Sequence, residues 1–322
     1  MAQDRSFSSF LGIGLPAALI MVGLLAALIG LPLYVGQSWV SITTEMLIMS
    51  LAACALNIML GYTGLVSFGP AGLYAVGAYT TAIFLQKLGL SIAPSMLAAP
   101  VLAGLIGAIV GWICVRRTAV YFALLTLAFS QIIWTVIFEW YAVTGGDDGL
   151  TSLPIPDFFF NISNCYYFTL FVVGVCTFII WKIINSPFGQ TLKAIRENRN
   201  RVEFIGVNTK RYQLGAFVLS SLFLGISGSL YCVFSGSVFP NFAYWVKSAD
   251  MLVICLLGGV YNFSGPLVGT LIYTLLTKII ADYTTHWHLF LGGIIIFIIL
   301  VMRNGVVGTL ADLWARKKQK QL

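Results

Sequence analysis

Charged residues are scarce in this chain of 322 residues, since Asp, Glu, Lys and Arg together make up only 9% of it. Soluble globular domains carry about 25%. Hydrophobic residues reach 59%, which excludes a soluble globular domain and predicts a polytopic membrane protein. We expect an all-α fold in a single domain over residues 1–322, because the apolar windows are as long as membrane helices.

Motifs for metal, disulfide and nucleotide chemistry are also missing. No G-x4-G-K-[ST] loop, HExxH or Ser–His–Asp context occurs, so we expect a non-catalytic chain without a cofactor. The basic residues lie between apolar windows, which excludes nucleic acid as a partner. His286 and His288 flank Trp287 and lack further metal ligands, so we interpret them as an interfacial aromatic belt. Six cysteines stand singly and are interpreted as packing residues: Cys54, Cys114, Cys165, Cys176, Cys232 and Cys255.

Ten apolar windows reach or approach the length of about 20 residues that a membrane crossing needs. The last three include two short windows split by a Gly/Pro segment, so eight or nine helices with a re-entrant piece is the alternative. The windows are 12–34, 41–61, 66–86, 93–115, 119–142, 166–184, 212–234, 248–261, 266–281 and 288–302.

The basic residues set the orientation. With ten crossings both termini share a side, and all eighteen Lys and Arg except Lys87, Lys247 and Lys278 fall on it. The positive-inside rule predicts that the termini, including a basic tail at 303–322, are cytoplasmic. The acidic loop 144–165 then faces the periplasm. It is either a solvated connector or a contact for a soluble partner through Asp147 and Asp148.

Two similar Gly/Pro segments interrupt the apolar windows: Gly64–Gly72 and Gly258–Pro266. Broken helices at membrane depth must be buried in protein or line a wet cavity, and a pair of them indicates a transport site. The alternative is close helix packing through small residues. We interpret the ionisable residues within windows as lying toward their outer ends, which disfavours ion coupling. These residues are Glu45, Glu139, Asp250, Lys278 and Asp282.

The hydrophilic run 186–211 lies on the predicted cytoplasmic side. Ser186 is a suitable N-cap with Pro187 at the first helical position, and an apolar stripe follows at helical spacing. A second short helix from Arg201 to Ile205 should close at Gly206. We interpret the run as a docking surface for a separate motor protein; the alternative is an interfacial helix held by anionic lipid.

Several motifs together resemble the branched-chain amino acid ABC permeases of the LivM type. They are NIMLGYTGLVSFGPAGLYAVGAY from Asn57, YFALLTLAFSQI from Tyr121, TGGDDGL from Thr144, LGISGSLY from Leu224, LLGGVYNFSGPLVG from Leu256 and the whole run 186–221. The sequence departs from the family at Pro70, where a His is common. It departs again at Gly259-Val260-Tyr261, where Gly-Leu-Gly is frequent.

This resemblance implies a type II ABC importer permease of the bacterial inner membrane, for branched-chain amino acids or a related small amino acid, amide, urea or aromatic acid. It implies as partners a second, LivH-like permease, two cytoplasmic ATPases that bind ATP and Mg, a periplasmic binding protein and membrane lipid. An ion-coupled secondary transporter or channel for a small polar solute is the alternative.

The predicted functional residues form three groups. The transport pathway is assigned Asn57, Ser67, Phe68, Gly69, Pro70, Tyr74, Phe263, Ser264, Gly265 and Pro266. Coupling to the ATPase is assigned Pro187, Phe188, Gly189, Leu192, Arg196, Glu197, Asn198 and Arg199, with Phe188 and Leu192 as apolar knobs. Docking of the binding protein is assigned Asp147 and Asp148.

Overall fold

The structure is a computed structural model that describes residues 30–32, 34, 36–117, 119–283, 286–302 and 305–309. The predicted first window, 12–34, and the basic tail, 303–322, lie almost entirely outside the described residues. No strand occurs in the described ranges, where β-pairing is limited to a bridge between Leu150 and Val238. The expected all-α class is therefore confirmed.

Eleven labelled helices follow one another in the described part of the chain. They are α1 (Gln37–Asn57, continued by a π-helix at Ile58–Thr63), α2 (Pro70–Gln86), α3 (Ile92–Cys114), α4 (Ala119–Glu139), α5 (Ile162–Ile184), α6 (Pro187–Glu197), α7 (Arg199–Phe204), α8 (Thr209–Ser235), α9 (Trp245–Gly258), α10 (Gly265–Tyr283) and α11 (Trp287–Val301). Short helical turns lie at Tyr141–Thr144, Gly146–Asp148, Asp157–Phe160 and Pro240–Ala243.

Each predicted window after the first coincides with one of these helices. Five helices of the described residues are long and apolar enough to cross a membrane by length and composition: α1 with its π-helix, α3, α4, α5 and α8. By contrast, α2 has 17 residues and α9 has 14, fewer than the about 20 that a full crossing needs. The total of ten crossings stays a prediction.

Helices α1 and α8 form the centre of the packing. In the most apolar stretch of each helix, 83% of the residues of α1 and 67% of those of α8 are buried, but only 22% of those of α4 and 28% of those of α5. Hydroxyl groups join the two central helices, because Ser220 donates to Ala55 O and Ser227 to Ile48 O, each at 2.7 Å. The apolar outer faces of α4 and α5 are left for lipid or another subunit.

Glycines allow α2 and α8 to approach until their backbones touch. A Cβ atom added to Gly77 would overlap the backbone of Gly225, and one added to Gly228 would overlap Tyr74 O. Close packing through small residues, one of the two interpretations of the first Gly/Pro segment, is therefore confirmed for α2. This packing is compatible with a role of the first Gly/Pro segment in transport, because the unwound residues of that segment precede α2.

We expect Gly228→Ala to destabilise the protein by at least about 2 kcal/mol, since overpacking against backbone cannot relax through a side-chain rotation. The melting temperature of the purified protein in detergent would measure the loss. Gly174→Ala in α5 is the matched control, because no atom lies within 4 Å of the added Cβ. Equal melting temperatures for the two variants would contradict the close contact.

Candidate functional site

The end of α1 departs from α-helical geometry. Its last six residues, Ile58–Thr63, form a π-helix, and Gly64 then takes a left-handed conformation with φ of 75°. π-helical turns are rare and occur frequently at functional sites. Asn57 lies at the junction, 2% exposed, and its Oδ1 is buried without a hydrogen-bond partner in the structure.

The chain then runs unwound to Gly69, and hydroxyl groups accept its freed N–H groups. The Gly69 N–H donates to Ser67 Oγ at 3.3 Å. Further acceptors come from α4 and α9, and the sequence analysis missed them. Phe68 N–H donates to Thr126 Oγ1 at 3.2 Å, Ala71 N–H to Ser248 Oγ at 3.0 Å, and Gly72 N–H to Ser130 Oγ at 3.0 Å.

A sequence signal for two of these acceptors exists. Thr126 and Ser130 are four residues apart in YFALLTLAFSQI, which places both hydroxyls on one face of α4. Beside them lies a cavity of about 10 Å³ that Gly69 also lines, room for about one water molecule. Ser67 is 3% exposed, whereas Phe68 is half-buried, and the assignment of this segment to the transport pathway stays a prediction.

The second Gly/Pro segment is a tight turn between α9 and α10. A Cβ atom on Gly258 would overlap Gly265 O, and one on Gly269 would overlap Ile254 O. Gly265 and Pro266 are buried, whereas Ser264 is exposed and Phe263 is half-buried. We call Gly258–Gly265 the hairpin turn. It touches the π-helix of α1, because a Cβ on Gly61 would overlap Val260 O.

The run 186–211 forms two short helices, α6 and α7, as predicted. Ser186 occupies the N-cap position of α6, but its Oγ donates backwards to Ile183 O at 2.6 Å and does not cap the helix. Asn198 caps α7 by accepting from the Arg201 N–H at 3.0 Å, so α7 begins two residues earlier than predicted. Gly206, with φ of 86°, follows its end.

The orientation of α6 differs from the prediction. Leu192 is 1% exposed, Gly189 is buried against Ile184, and Phe188 stacks on Tyr212 of α8 at 5.6 Å between ring centroids. The assignment of Leu192 as an apolar knob for another protein is therefore wrong, because this chain itself buries the side chain. Phe188 is half-buried, so its assignment stays a prediction. The exposed apolar residues of this run are instead Phe204, 89% exposed, and Ile205, 77% exposed.

The other predicted coupling residues point in two directions, toward the membrane helices or toward the surface. Arg196 turns inward, where its guanidinium donates to Gly61 O and lies 4.7 Å from the centroid of the Tyr261 ring. Pro187, Glu197 and Asn198 are exposed, as a surface role requires.

Glu203 connects α7 to the first residue of α8. It accepts hydrogen bonds from Thr209 Oγ1 and from Arg199, whose Nε lies 3.0 Å away. These bonds, Thr209 first, lower the pKa of Glu203. A lowered pKa means that the contribution of this carboxylate to stability is present above the carboxyl pKa of the unfolded chain and is lost as pH falls through the folded value.

The outer loop 144–165 is packed and not a loose connector. Leu150 pairs with Val238 through two backbone hydrogen bonds of 2.9 and 2.8 Å, and Leu153 and Ile155 are buried. Asp148 accepts a hydrogen bond of 2.6 Å from the Tyr141 hydroxyl, which raises the pKa of Tyr141. Asp147 and Asp148 are both exposed, and a contact with a binding protein stays a prediction.

Polar side chains from α1, α2, α8 and α9 lie together around Tyr74, a grouping that the sequence did not predict. Tyr74 is fully buried, its hydroxyl has no hydrogen-bond partner in the structure, and its ring lies 6.2 Å from that of Tyr231. Glu45 lies beside Tyr231, and Lys247 Nζ is 5.8 Å from the Tyr231 ring centroid.

Asp250 lies in the first half of α9, which spans Trp245–Gly258. It accepts a hydrogen bond of 2.7 Å from the hydroxyl of Tyr273, a residue near the middle of α10. The interpretation that the ionisable residues lie toward the outer ends of their windows stays a prediction.

Comparison with known proteins gives a consistent set of relatives. A family model described as the permease component of the branched-chain amino acid transport system matches residues 38–300. The chain is 26% identical over 316 residues to the high-affinity branched-chain amino acid transport system permease protein LivM of Escherichia coli (strain K12), covering 90% of this chain and 74% of that protein.

Two further relatives widen the set. The probable branched-chain amino acid transport permease protein LivM of Methanocaldococcus jannaschii is 25% identical over 285 residues, covering 75% of this chain and 81% of that protein. The high-affinity permease protein LivH of Salmonella typhimurium is 23% identical over 284 residues, covering 80% of this chain and 91% of that protein. No solved structure matches the chain significantly.

We expect Thr126→Val to cost about 1–3 kcal/mol, because it leaves the Phe68 N–H buried without an acceptor. Thr135→Val is the matched control: it is the same substitution in the same helix, but Thr135 is exposed and donates only to its own helix, to Gln131 O at 2.9 Å. Thermal unfolding in detergent would compare them. A Thr126→Val protein as stable as the control would contradict the proposed support of the unwound segment.

Proposed function

Because the chain belongs to the family of branched-chain amino acid transport system permease components, we propose that it carries branched-chain amino acids, or a related small amino acid, amide, urea or aromatic acid, into the cell. The observation that carries the proposal is the family match over residues 38–300. The chain is a permease subunit of an ABC importer and a multi-pass membrane protein. The ion-coupled alternative is not favoured, since the relatives are named as permeases of transport systems.

The proposed assembly contains two different permeases, because the chain is similar to both LivM and LivH proteins. Two ATPases in the cytoplasm would bind ATP and Mg, and a periplasmic binding protein would deliver the substrate. This chain would then be non-catalytic, in the inner membrane, with both termini cytoplasmic. The contacts of Arg196 support that orientation, since they bring the end of α1 and the hairpin turn to the basic run 186–211, as alternating crossings require.

The transport pathway is proposed to pass the unwound segment Ser67–Pro70, with Asn57 and Tyr74 nearby, and Phe263–Pro266 at the hairpin turn. Two buried polar atoms without protein partners, Asn57 Oδ1 and the Tyr74 hydroxyl, support it, because such groups are costly unless water or a ligand satisfies them. A weakly binding pathway suits an importer whose binding protein supplies selectivity. Binding protein would dock at Asp147 and Asp148, which are exposed on the opposite face from α6 and α7.

The surface proposed to contact an ATPase is centred on Phe204 and Ile205. Two large apolar side chains exposed at the end of α7 are costly in water, and basic residues surround them. Arg201 and Lys210 are exposed beside them, so an apolar groove with an acidic rim would be complementary. This surface replaces the buried Leu192 as the apolar part of the contact.

Reconstitution tests the function directly. We expect uptake into proteoliposomes only when this chain, its second permease, both ATPases, the binding protein and ATP are present. Calorimetry on the binding protein, with Leu, Ile, Val, urea, amides and aromatic acids, would identify the substrate. Uptake by this chain alone under an ion gradient, without nucleotide, would contradict the proposal.

Replacing both Phe204 and Ile205 with Ser should weaken assembly with the ATPase at least tenfold, because burying a large apolar side chain contributes about 1.5–3 kcal/mol. Copurification and the concentration dependence of ATPase stimulation would measure it. Phe160→Ser, at a residue 70% exposed on the predicted outer side, should leave assembly unchanged. Normal assembly of the double variant would indicate that Phe204 and Ile205 contact lipid.

A further inference from the structure

Arg196 contacts two other segments of the membrane domain with one side chain. It belongs to α6, yet its Nη1 donates to Gly61 O in the π-helix of α1, and its guanidinium lies 4.7 Å from the Tyr261 ring in the hairpin turn. Its stem passes Gly64, where an added Cβ would lie 2.9 Å from Arg196 Cγ. The side chain therefore lies where α6, the end of α1 and the α9–α10 hairpin meet.

Each contact uses a different property of the guanidinium. Gly61 lies in the last turn of the π-helix, where backbone carbonyls lack partners within the helix, and a charged donor makes a stronger bond to such an oxygen than a neutral one. The planar face is available for the Tyr261 ring. An ammonium group is a point charge without such a fork and face, so lysine cannot make both contacts in the same way.

The two segments that Arg196 contacts also touch each other. Gly61 packs directly on Val260 O, so Arg196 lies over an existing joint between α1 and the hairpin turn. Within the described ranges, Arg196 forms no ion pair with a carboxylate. The ion pair of this run joins Arg199 to Glu203 instead. The guanidinium is thus committed to the backbone of α1 and the ring of Tyr261.

We propose that Arg196 is a positioning residue that links α6 to the end of α1 and to the hairpin turn, so that a displacement of α6 moves both segments together. The idea rests on the proposed function, in which an ATPase displaces α6 and α7. Lys193 of α6 also faces the π-helix, with its Nζ 5.7 Å from the Tyr62 ring. Arg196 differs in that it reaches the hairpin turn as well.

The test uses the complete importer in proteoliposomes and measures substrate imported per ATP hydrolysed, with assembly checked by copurification. We expect Arg196→Gln to lower that ratio about tenfold, within the range of coupling between sites, while assembly and ATP hydrolysis persist. Tyr261→Leu should lower it too, and Tyr261→Phe should not, because it keeps the ring. Arg196→Lys should give an intermediate ratio.

Arg116→Gln is the matched control, because Arg116 is an exposed arginine outside the run 186–211 whose guanidinium lies over the ring of Trp112 in α3, 3.9 Å from the centroid. The Arg196→Gln/Tyr261→Leu double variant should be no worse than the poorer single variant. A wild-type ratio for Arg196→Gln, or single losses that multiply in the double variant, would overturn the proposal.

Failure of the proposed function has a different signature. In that case the wild-type assembly shows no ATP-dependent uptake of any substrate in the screen, whatever stands at position 196. The link is then tested on the purified permease alone, through the melting temperatures of the same single and double variants. Non-additive shifts would support the contact between Arg196 and Tyr261, and additive shifts would overturn it.

Discussion

The fold depends on a requirement that every backbone N–H and C=O removed from water find a partner. The unwound residues between Gly64 and Pro70 break the helical ladder, and Thr126, Ser130 and Ser248 accept the N–H groups that this break releases. Because these hydroxyls belong to α4 and α9, the same bonds set the positions of three helices relative to one another. The break is therefore a joint held by its neighbours.

Glycine determines how closely the remaining helices approach. Backbones touch where α2 meets α8 and where α9 turns into α10, since side chains at Gly228 or Gly258 would overlap carbonyl oxygens. Contacts of this kind tolerate sliding of one helix along another only in discrete steps. Rigid pieces meeting at few joints suit a protein in which a displacement on one face must reach the other.

Three such pieces meet at one place, on the side predicted to be cytoplasmic. The π-helix of α1, the hairpin turn and α6 meet around Arg196, while Phe204 and Ile205 project away from them. The run 186–211 thus has an inner surface that holds the membrane domain and an outer surface free for another protein. Amphipathicity predicts that one face of α6 is buried, but it does not say whether a partner or the chain itself covers that face, which is why Leu192 was assigned to the wrong side.

Local patterns in the sequence determined the helices. Apolar windows, Pro187 at a helix start and Gly206 after a helix end located nine long helices and the two short helices α6 and α7, because these features depend on residues within a few positions of one another. Tertiary structure alone decided which residues meet: the hydroxyls that support the unwound segment, the contact between Asp250 and Tyr273, and the inward turn of Arg196. Each of these joins residues far apart in the chain, such as Arg196 and Gly61, and no local periodicity records which helix will lie opposite another.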